Sequence, residues 1–244
     1  VLCVLCGDIF VYPYPTNYSK VTMHPNLTRR TLVHHPIDRS NTPIRLFESD
    51  FLEFFTHISP LAVTVLWLPV IVFFVIRAVL NREVGGSAWY IPLGFLLGLF
   101  LWTFAEYTLH RFVFHYRPRN AQQERITYLF HGIHHHQPHI KTRLVMPPAV
   151  SIPLAFLFYG LFYLVTAVLF QAPQWVDPLV AGFMLGYLIY DLIHYATHHF
   201  PMKRGYFKFL RKYHMQHHYK TPEARFGVSS PIWDAVFKTM PKEG

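Results

Sequence analysis

The sequence predicts an all-α, multipass membrane protein: four transmembrane helices carrying a cytoplasmic helical cap that holds a histidine-rich di-metal site. Three observations carry this. Only 14% of the 244 residues are charged and 52% are hydrophobic, against about 25% charged in a soluble domain. Four apolar stretches are long enough, or continue far enough as helix, to cross about 30 Å of hydrocarbon. Ten histidines fall in four short groups at helical spacing, all on one side of the predicted bilayer.

The chain divides at residue 42. Residues 1–42 are polar, Pro-bearing and aperiodic, and they read as disordered or loosely attached. No basic segment precedes a continuous apolar run there, so no secretory signal is predicted. Cys3 and Cys6 form one C-x-x-C without a second pair, which is no metal framework. Any metal site must therefore use His, Asp or Glu. Residues 43–244 form the membrane domain.

Its first span is Ile58 to Ile76, uncharged and bounded by Arg77. Val84 to Ala105 is the second, closing at Glu106. Leu144 to Val176 is uncharged and longer than one span needs, with Pro147-Pro148 at its entry. Pro178 to Tyr190 is shorter and continues as helix through Asp191, His194 and His198. The sequence QAPQW joins the last two as a tight hairpin.

Basic residues set the orientation. Arg39 and Arg45 precede the first span; Arg111, Arg117, Arg119, Arg125, Lys141 and Arg143 separate the second and third; Lys203, Arg204, Lys208, Arg211 and Lys212 follow the fourth. Four crossings put these segments on one side, which the positive-inside rule makes cytoplasmic. The net charge of +9 thus serves the membrane face, and nucleic acid is excluded as a partner.

The histidine groups share that side: His110 and His115; His131, His134 and His135; His194 and His198; His214, His217 and His218. Residues i, i+3 and i+4 share a helix face, so three of the groups can converge. His110 and His115 would diverge by about 140° on an ideal helix. They fit if the helix ends between them or if each serves a different metal. Ten imidazoles exceed the four to six ligands of one ion, and two metals with about five each use them all. Within HGIHHHQPH, His136 points off the shared face and His139 follows Pro138, so neither is expected to ligate. The Glu-x-x-His pattern of soluble di-iron bundles is absent.

A di-metal site facing a bilayer suggests a substrate that lives there, such as an acyl chain or sterol. Aliphatic C–H bonds offer no acidic proton or leaving group, so O2 activated at iron is the fitting chemistry. A metal transporter is the rival class, but transporters place their sites near the bilayer midplane. These histidines sit at span ends and beyond.

The segments EYTLHRFVFH, HGIHHH, YDLIHYATHH and YHMQHH, in this order, resemble the fatty acid hydroxylase superfamily of integral-membrane di-iron enzymes. PIRLFESDFLEFF and RLVMPP are similar to its fatty acid 2-hydroxylase branch, and the tail FGVSSPIWDAVFKT also fits the superfamily. The resemblance covers about residues 43–240. It implies hydroxylation of a long acyl chain, free or on a sphingolipid, at the carbon next to the carbonyl. Other superfamily reactions, on sterols or carotenoids, are the nearest alternative.

The resemblance also implies two Fe ions, O2, external electrons, and ligation by the ten grouped histidines. Zn binds nitrogen sites more tightly than Fe, so zinc in a purified sample would leave it inactive. Eukaryotic members often carry a fused cytochrome b5 domain with a His-Pro-Gly-Gly motif. No such motif occurs here, so a separate donor is expected, such as cytochrome b5 or ferredoxin with its reductase. The implied location is the endoplasmic reticulum in a eukaryote and the inner membrane in a bacterium.

Supporting residues follow from spacing. Glu106 lies four residues before His110 and Asp191 three before His194, so each carboxylate is a candidate to hydrogen-bond the adjacent ligand. Asp234 is expected to pair locally. Tyr195 and Tyr213 read as interfacial aromatics. Arg143 and Lys141 are candidates for a substrate carboxylate or a lipid phosphate, and KRGYFKFLRKY at 203–213 reads as an interfacial helix.

Overall fold

The computed structural model describes residues 36–82 and 86–241. Among them no strand occurs. The elements are α1 (Asp50–Phe54), α2 (Pro60–Leu80), α3 (Tyr90–Thr108) with a π-helical turn at Leu109–Phe114, and α4 (Ala121–Thr127). A second π turn at Tyr128–Gly132 leads into α5 (Ile133–His136). There follow α6 (Pro148–Phe162) with a π-helical end at Tyr163–Leu169, α7 (Val176–His199), α8 (Gly205–Tyr219) and α9 (Ile232–Val236).

Local chemistry explains the starts. The hydroxyl of Ser59 accepts from the N–H of Ala62 at 3.2 Å, with Pro60 in the first turn of α2. Pro147 caps α6 and Pro148 opens it. Asn120 accepts from the Gln123 amide at 2.9 Å and starts α4.

Four helices are long and apolar enough to cross a membrane, which makes this a multipass membrane protein. The spans run over Pro60–Leu80, Tyr90–Phe114, Lys141–Leu169 and Pro173–His199. The second therefore starts at Tyr90 rather than Val84 and runs past Glu106. The third ends at Leu169 rather than Val176, because Gln171, with φ +52°, turns the chain. The hairpin at 171–175 and the continuation of the fourth helix to His199 match the sequence pattern.

The fourth span is the centre of the bundle: 78% of its apolar window is buried, against 6% for the third. Helices α2, α3 and α6 pack around α7. Glycines set the closest approach. A Cβ on Gly182 would lie 1.9 Å from the Phe95 carbonyl oxygen, and one on Gly98 would lie 2.1 Å from that of Leu179. The repeats Gly94-x-x-x-Gly98 and Gly182-x-x-x-Gly186 thus allow backbone contact between α3 and α7 where dispersion, not the hydrophobic effect, drives helix association. Trp102 fills the next layer, edge-on to Phe183 and Tyr187 at 5.2 and 5.3 Å. At the far end of the bundle Arg77 of α2 pairs with Asp177 of α7 at 3.2 Å.

Residues 36–42 belong to the segment that the sequence reads as loosely attached, and hydrogen bonds tie them to His136 and Gln137. The buried Gln137 donates to Asp38 at 2.6 Å and to the Thr42 carbonyl at 3.1 Å, while its own carbonyl accepts from the Ile44 N–H at 2.9 Å. Asp38 N–H also donates to the His136 carbonyl at 2.8 Å. The rest of that segment, residues 1–35 with Cys3 and Cys6, lies outside the described residues.

Candidate metal centre

The ten grouped histidines come together where the spans meet the cap, in two groups of five. His110, His115, His131, His135 and His217 form the first; His134, His194, His198, His214 and His218 form the second. Within each, the five ligand atoms lie within 4.8 Å of one another.

The two H-x2-H-H motifs divide rather than converge. His131 and His135 enter the first group and His134 the second; His214 and His218 enter the second and His217 the first. Helix geometry gives the reason: residues i and i+4 differ by about 40°, whereas i+3 lies about 100° from i+4. Each motif therefore keeps its i, i+4 pair on one group and offers the intervening histidine to the other. The π turn after α3 supplies the remaining pair to the first group and α7 that to the second. The seam is His135 stacked on His218, with ring centroids 4.1 Å apart.

The helix ends between His110 and His115, at Phe114 with His115 as its C-cap, and both rings enter the same group. The π turn between them closes with the His115 N–H donating to the His110 carbonyl at 3.0 Å, an i to i+5 bond. That extra residue per turn removes the 140° divergence of an α-helix.

The spacing of the nitrogens fits metal ligation. In the first group Nε2 of His131 is 3.0 Å from Nε2 of both His110 and His135, and Nε2 of His217 is 3.1 Å from that of His115. In the second, Nε2 of His134 is 2.9 Å from those of His194 and His218, and Nε2 of His214 is 2.9 Å from that of His198. Two nitrogens each about 2.1 Å from one ion and at right angles are about 3.0 Å apart.

Protonation fits as well. Burial, reinforced by neighbouring imidazoles, holds His131, His134, His214 and His218 well below the usual histidine range, so they are neutral ligands at pH 7. His110 Nδ1 donates to the Phe226 carbonyl at 2.5 Å and His217 Nδ1 to that of Ala224 at 2.7 Å. A carbonyl can only accept, so Nε2 of each ring carries the lone pair and aims it inward.

The sequence offered carboxylates for this orienting role, and the structure uses backbone carbonyls. Glu106 accepts from the N–H groups of Val228 and Ser229 at 2.5 and 2.8 Å and from the Ser229 hydroxyl. Asp234, fully buried, accepts from Phe226 and Gly227 N–H at 2.9 and 2.7 Å. Together they hold the loop whose Phe226 carbonyl orients His110. Asp191 likewise accepts from the Met146 N–H at 3.2 Å, next to the Leu144 backbone that hydrogen-bonds His194. The sequence signal for the tail loop was FGVSSP-x-x-D, which carries the amides but no conspicuous chemistry.

Other singled-out residues stay outside both groups. His136 pairs with the Tyr128 hydroxyl at 2.8 Å, and His139 donates to the Ser40 carbonyl at 2.7 Å. Tyr195 packs on His199 and Tyr213 stacks on Phe209. Arg143 is buried and Lys141 exposed.

An apolar cavity of about 300 Å³ reaches the groups from one side, touching His131, His134 and His194. Phe47, Leu52, Phe55, Val145, Met146 and Val150 line it. A smaller cavity of about 210 Å³ reaches His115, His131, His135 and His218 from another. A long apolar chain therefore has a lined approach to both groups at once.

The model of the family described as fatty acid hydroxylase matches residues 95–239, which span all ten grouped histidines. The chain belongs to the fatty acid hydroxylase family. It is 41% identical over 209 residues to the dihydroceramide fatty acyl 2-hydroxylase of Arabidopsis thaliana, covering 86% of this chain and 84% of that one. It is 34% identical to the human fatty acid 2-hydroxylase and 36% identical to the ceramide very long chain fatty acid hydroxylase of Saccharomyces cerevisiae, spanning 59% and 52% of those chains and about 85% of its own. The solved hydroxylase domain of scs7p superposes with a TM-score of 0.72 at 37% identity, over 79% of this fatty acid hydroxylase and 70% of that chain. The resemblance read from the histidine motifs is borne out.

Proposed function

We propose that this protein hydroxylates long acyl chains at C2, acting on a free fatty acid or on the N-acyl chain of a sphingolipid. The observation that carries this reading is the pair of five-imidazole groups set side by side against one apolar cavity. The names of the plant and human relatives, both 2-hydroxylases, support the same position of attack, and that of the yeast relative supports a ceramide acyl chain as substrate.

The ten histidines would each hold one of two iron ions, which supply O2 activation and C–H oxidation when bound. The chain's own residues do the rest. The carbonyls of Phe226 and Ala224 keep His110 and His217 in the ligating tautomer. Phe47, Val145, Met146 and Val150 keep water from the reacting carbon. Electrons would arrive from a separate donor, such as cytochrome b5 or ferredoxin with its reductase, on the cap side. The basic segments make that side cytoplasmic, and α8, with Tyr206, Phe207 and Phe209 exposed, suits the membrane interface there.

The test is lipid analysis of cells expressing the full chain beside the His134→Ala variant. 2-Hydroxy fatty acids rising only with the unaltered chain support the reading; equal product from both would end it. Hydroxylated sterols or carotenoids in their place would move the substrate within the family. Elemental analysis with turnover after iron loading identifies the working metal.

A further inference from the structure

The geometry points to Arg143 as the residue that binds the oxygen at C1 of the acyl chain and thereby sets C2 as the position of attack. This rests on the 2-hydroxylase reading above.

Arg143 stands on the wall of the same apolar cavity as His131, His134 and His194. Its side chain is 3% exposed, a rare state for a cation among apolar residues. One nitrogen, Nη2, is committed: it donates to Glu53 at 2.5 Å and lies 3.0 Å from His57 Nε2. Glu53 is held in turn, its other oxygen accepting from the Leu46 and Phe47 N–H groups at 2.9 Å each. Nε and Nη1 of Arg143 are buried with no hydrogen-bond partner. A guanidinium has five N–H donors, so three face an apolar surrounding with nothing to receive them. Fixed through Nη2 by Glu53 and His57, the guanidinium is preorganised to donate from Nη1 to an acceptor.

The lining around it is aliphatic and aromatic, with Leu46, Phe47, Val145, Met146 and Val150. A ligand that satisfies both features has one oxygen-bearing end and a long apolar body. Nε–H and the Nη1 amine face opposite edges of the guanidinium, so the acceptor that fits is a single oxygen on Nη1, from a carboxylate or from an amide carbonyl. Free acid and N-acyl amide present the same C1 oxygen. With that oxygen on Arg143, the adjoining carbon is held near the imidazole groups while C3 and beyond follow the apolar wall. Exposed Lys141, two residues away, has no such setting. The position of hydroxylation then follows from an anchor two atoms from the reacting carbon.

The experiment has two arms. In the first, the metal-loaded full chain in detergent, kept without reductant, is melted with palmitic acid, with an N-palmitoyl amide and with hexadecane. Acid and amide raise the midpoint of the unaltered protein by several degrees more than hexadecane, and Arg143→Lys abolishes the difference; the two oxygen-bearing ligands show separately which head is taken. Equal shifts by all three in the unaltered protein would overturn the assignment, and that result needs no variant to fold. In the second, hydroxylated products of cells expressing Arg143→Lys are resolved by position, with metal content measured alongside. A tenfold or greater fall in 2-hydroxy product, with 3-hydroxy isomers appearing and both metals retained, supports the anchor. A fall with only the 2-hydroxy isomer present marks Arg143 as structural and overturns it. If the unaltered chain makes no 2-hydroxy acid, the functional reading fails instead, whatever the melting arm shows.

Discussion

The N–H of His115 donates to the carbonyl of His110 five residues back, at 3.0 Å, and brings the two rings to a centroid distance of 5.0 Å. The π turn closed by this bond is what brings both rings of H-x4-H into one group of five. His115→Ala and His217→Ala should therefore remove the same metal. Each single variant is expected to retain about one metal per chain by elemental analysis, and the double variant no fewer than either.

His136 and His139 bond the Tyr128 hydroxyl and the Ser40 carbonyl. His136→Ala and His139→Ala are expected to retain two metals per chain and near-normal turnover. Loss of a whole metal from either would place a sixth ligand in the centre.

Glu106 is tied to Val228 and Ser229, and through that loop to the Phe226 carbonyl on His110. Glu106→Ala would leave two buried amides without acceptors, at about 2–3 kcal/mol. Losing the support behind a ligand typically costs 10–100-fold in metal affinity. The expected outcome is a lower melting point together with weaker retention of the first-group metal in a chelator titration. The second-group metal should be affected less.

Gly182 meets the Phe95 carbonyl so closely that even a methyl group forces α3 and α7 apart. Gly182→Ala is expected to cost about 1–3 kcal/mol, the usual range for overpacking, read as a drop in the unfolding midpoint in detergent. Gly160→Ala is the control, since a Cβ there meets nothing within 4 Å.

Burial depresses the pKa values of His131, His134, His214 and His218 in the fold. Below their ordinary value of 6.5 the unfolded chain binds more protons than the folded one, so stability falls as pH falls through that value. Each group adds up to about 1.4 kcal/mol per pH unit. The metal-free protein should lose stability steeply between pH 6.5 and 5.5 and change little from 7 to 8. Melting points across that range check the sign.

Much of this protein was legible in its sequence because the responsible forces are local or compositional. Uncharged runs bounded by Arg77 and by proline announce the spans, since a bilayer tolerates no unpaired charge or backbone. The i, i+3, i+4 spacing at His131 and His214 announces the clustering of their imidazoles, since a helix fixes which side chains are neighbours. The 40° and 100° separations even contain the division of each motif between two histidine groups, once two groups flank it.

The tertiary structure decided what depends on distant partners. It alone pairs α3 with α7 through opposed glycines, turns the carboxylates of Glu106 and Asp191 away from the imidazoles toward backbone amides, and makes the carbonyls of Phe226 and Ala224 the orienting acceptors. A carbonyl is the same in every residue, so no side-chain pattern marks the two that matter. The π turn between His110 and His115 is likewise invisible in composition, because no residue type marks an i to i+5 bond. Arg143 shows the same division: its charge is written in the sequence, but its burial against Glu53, with three donors left over, exists only in the folded molecule.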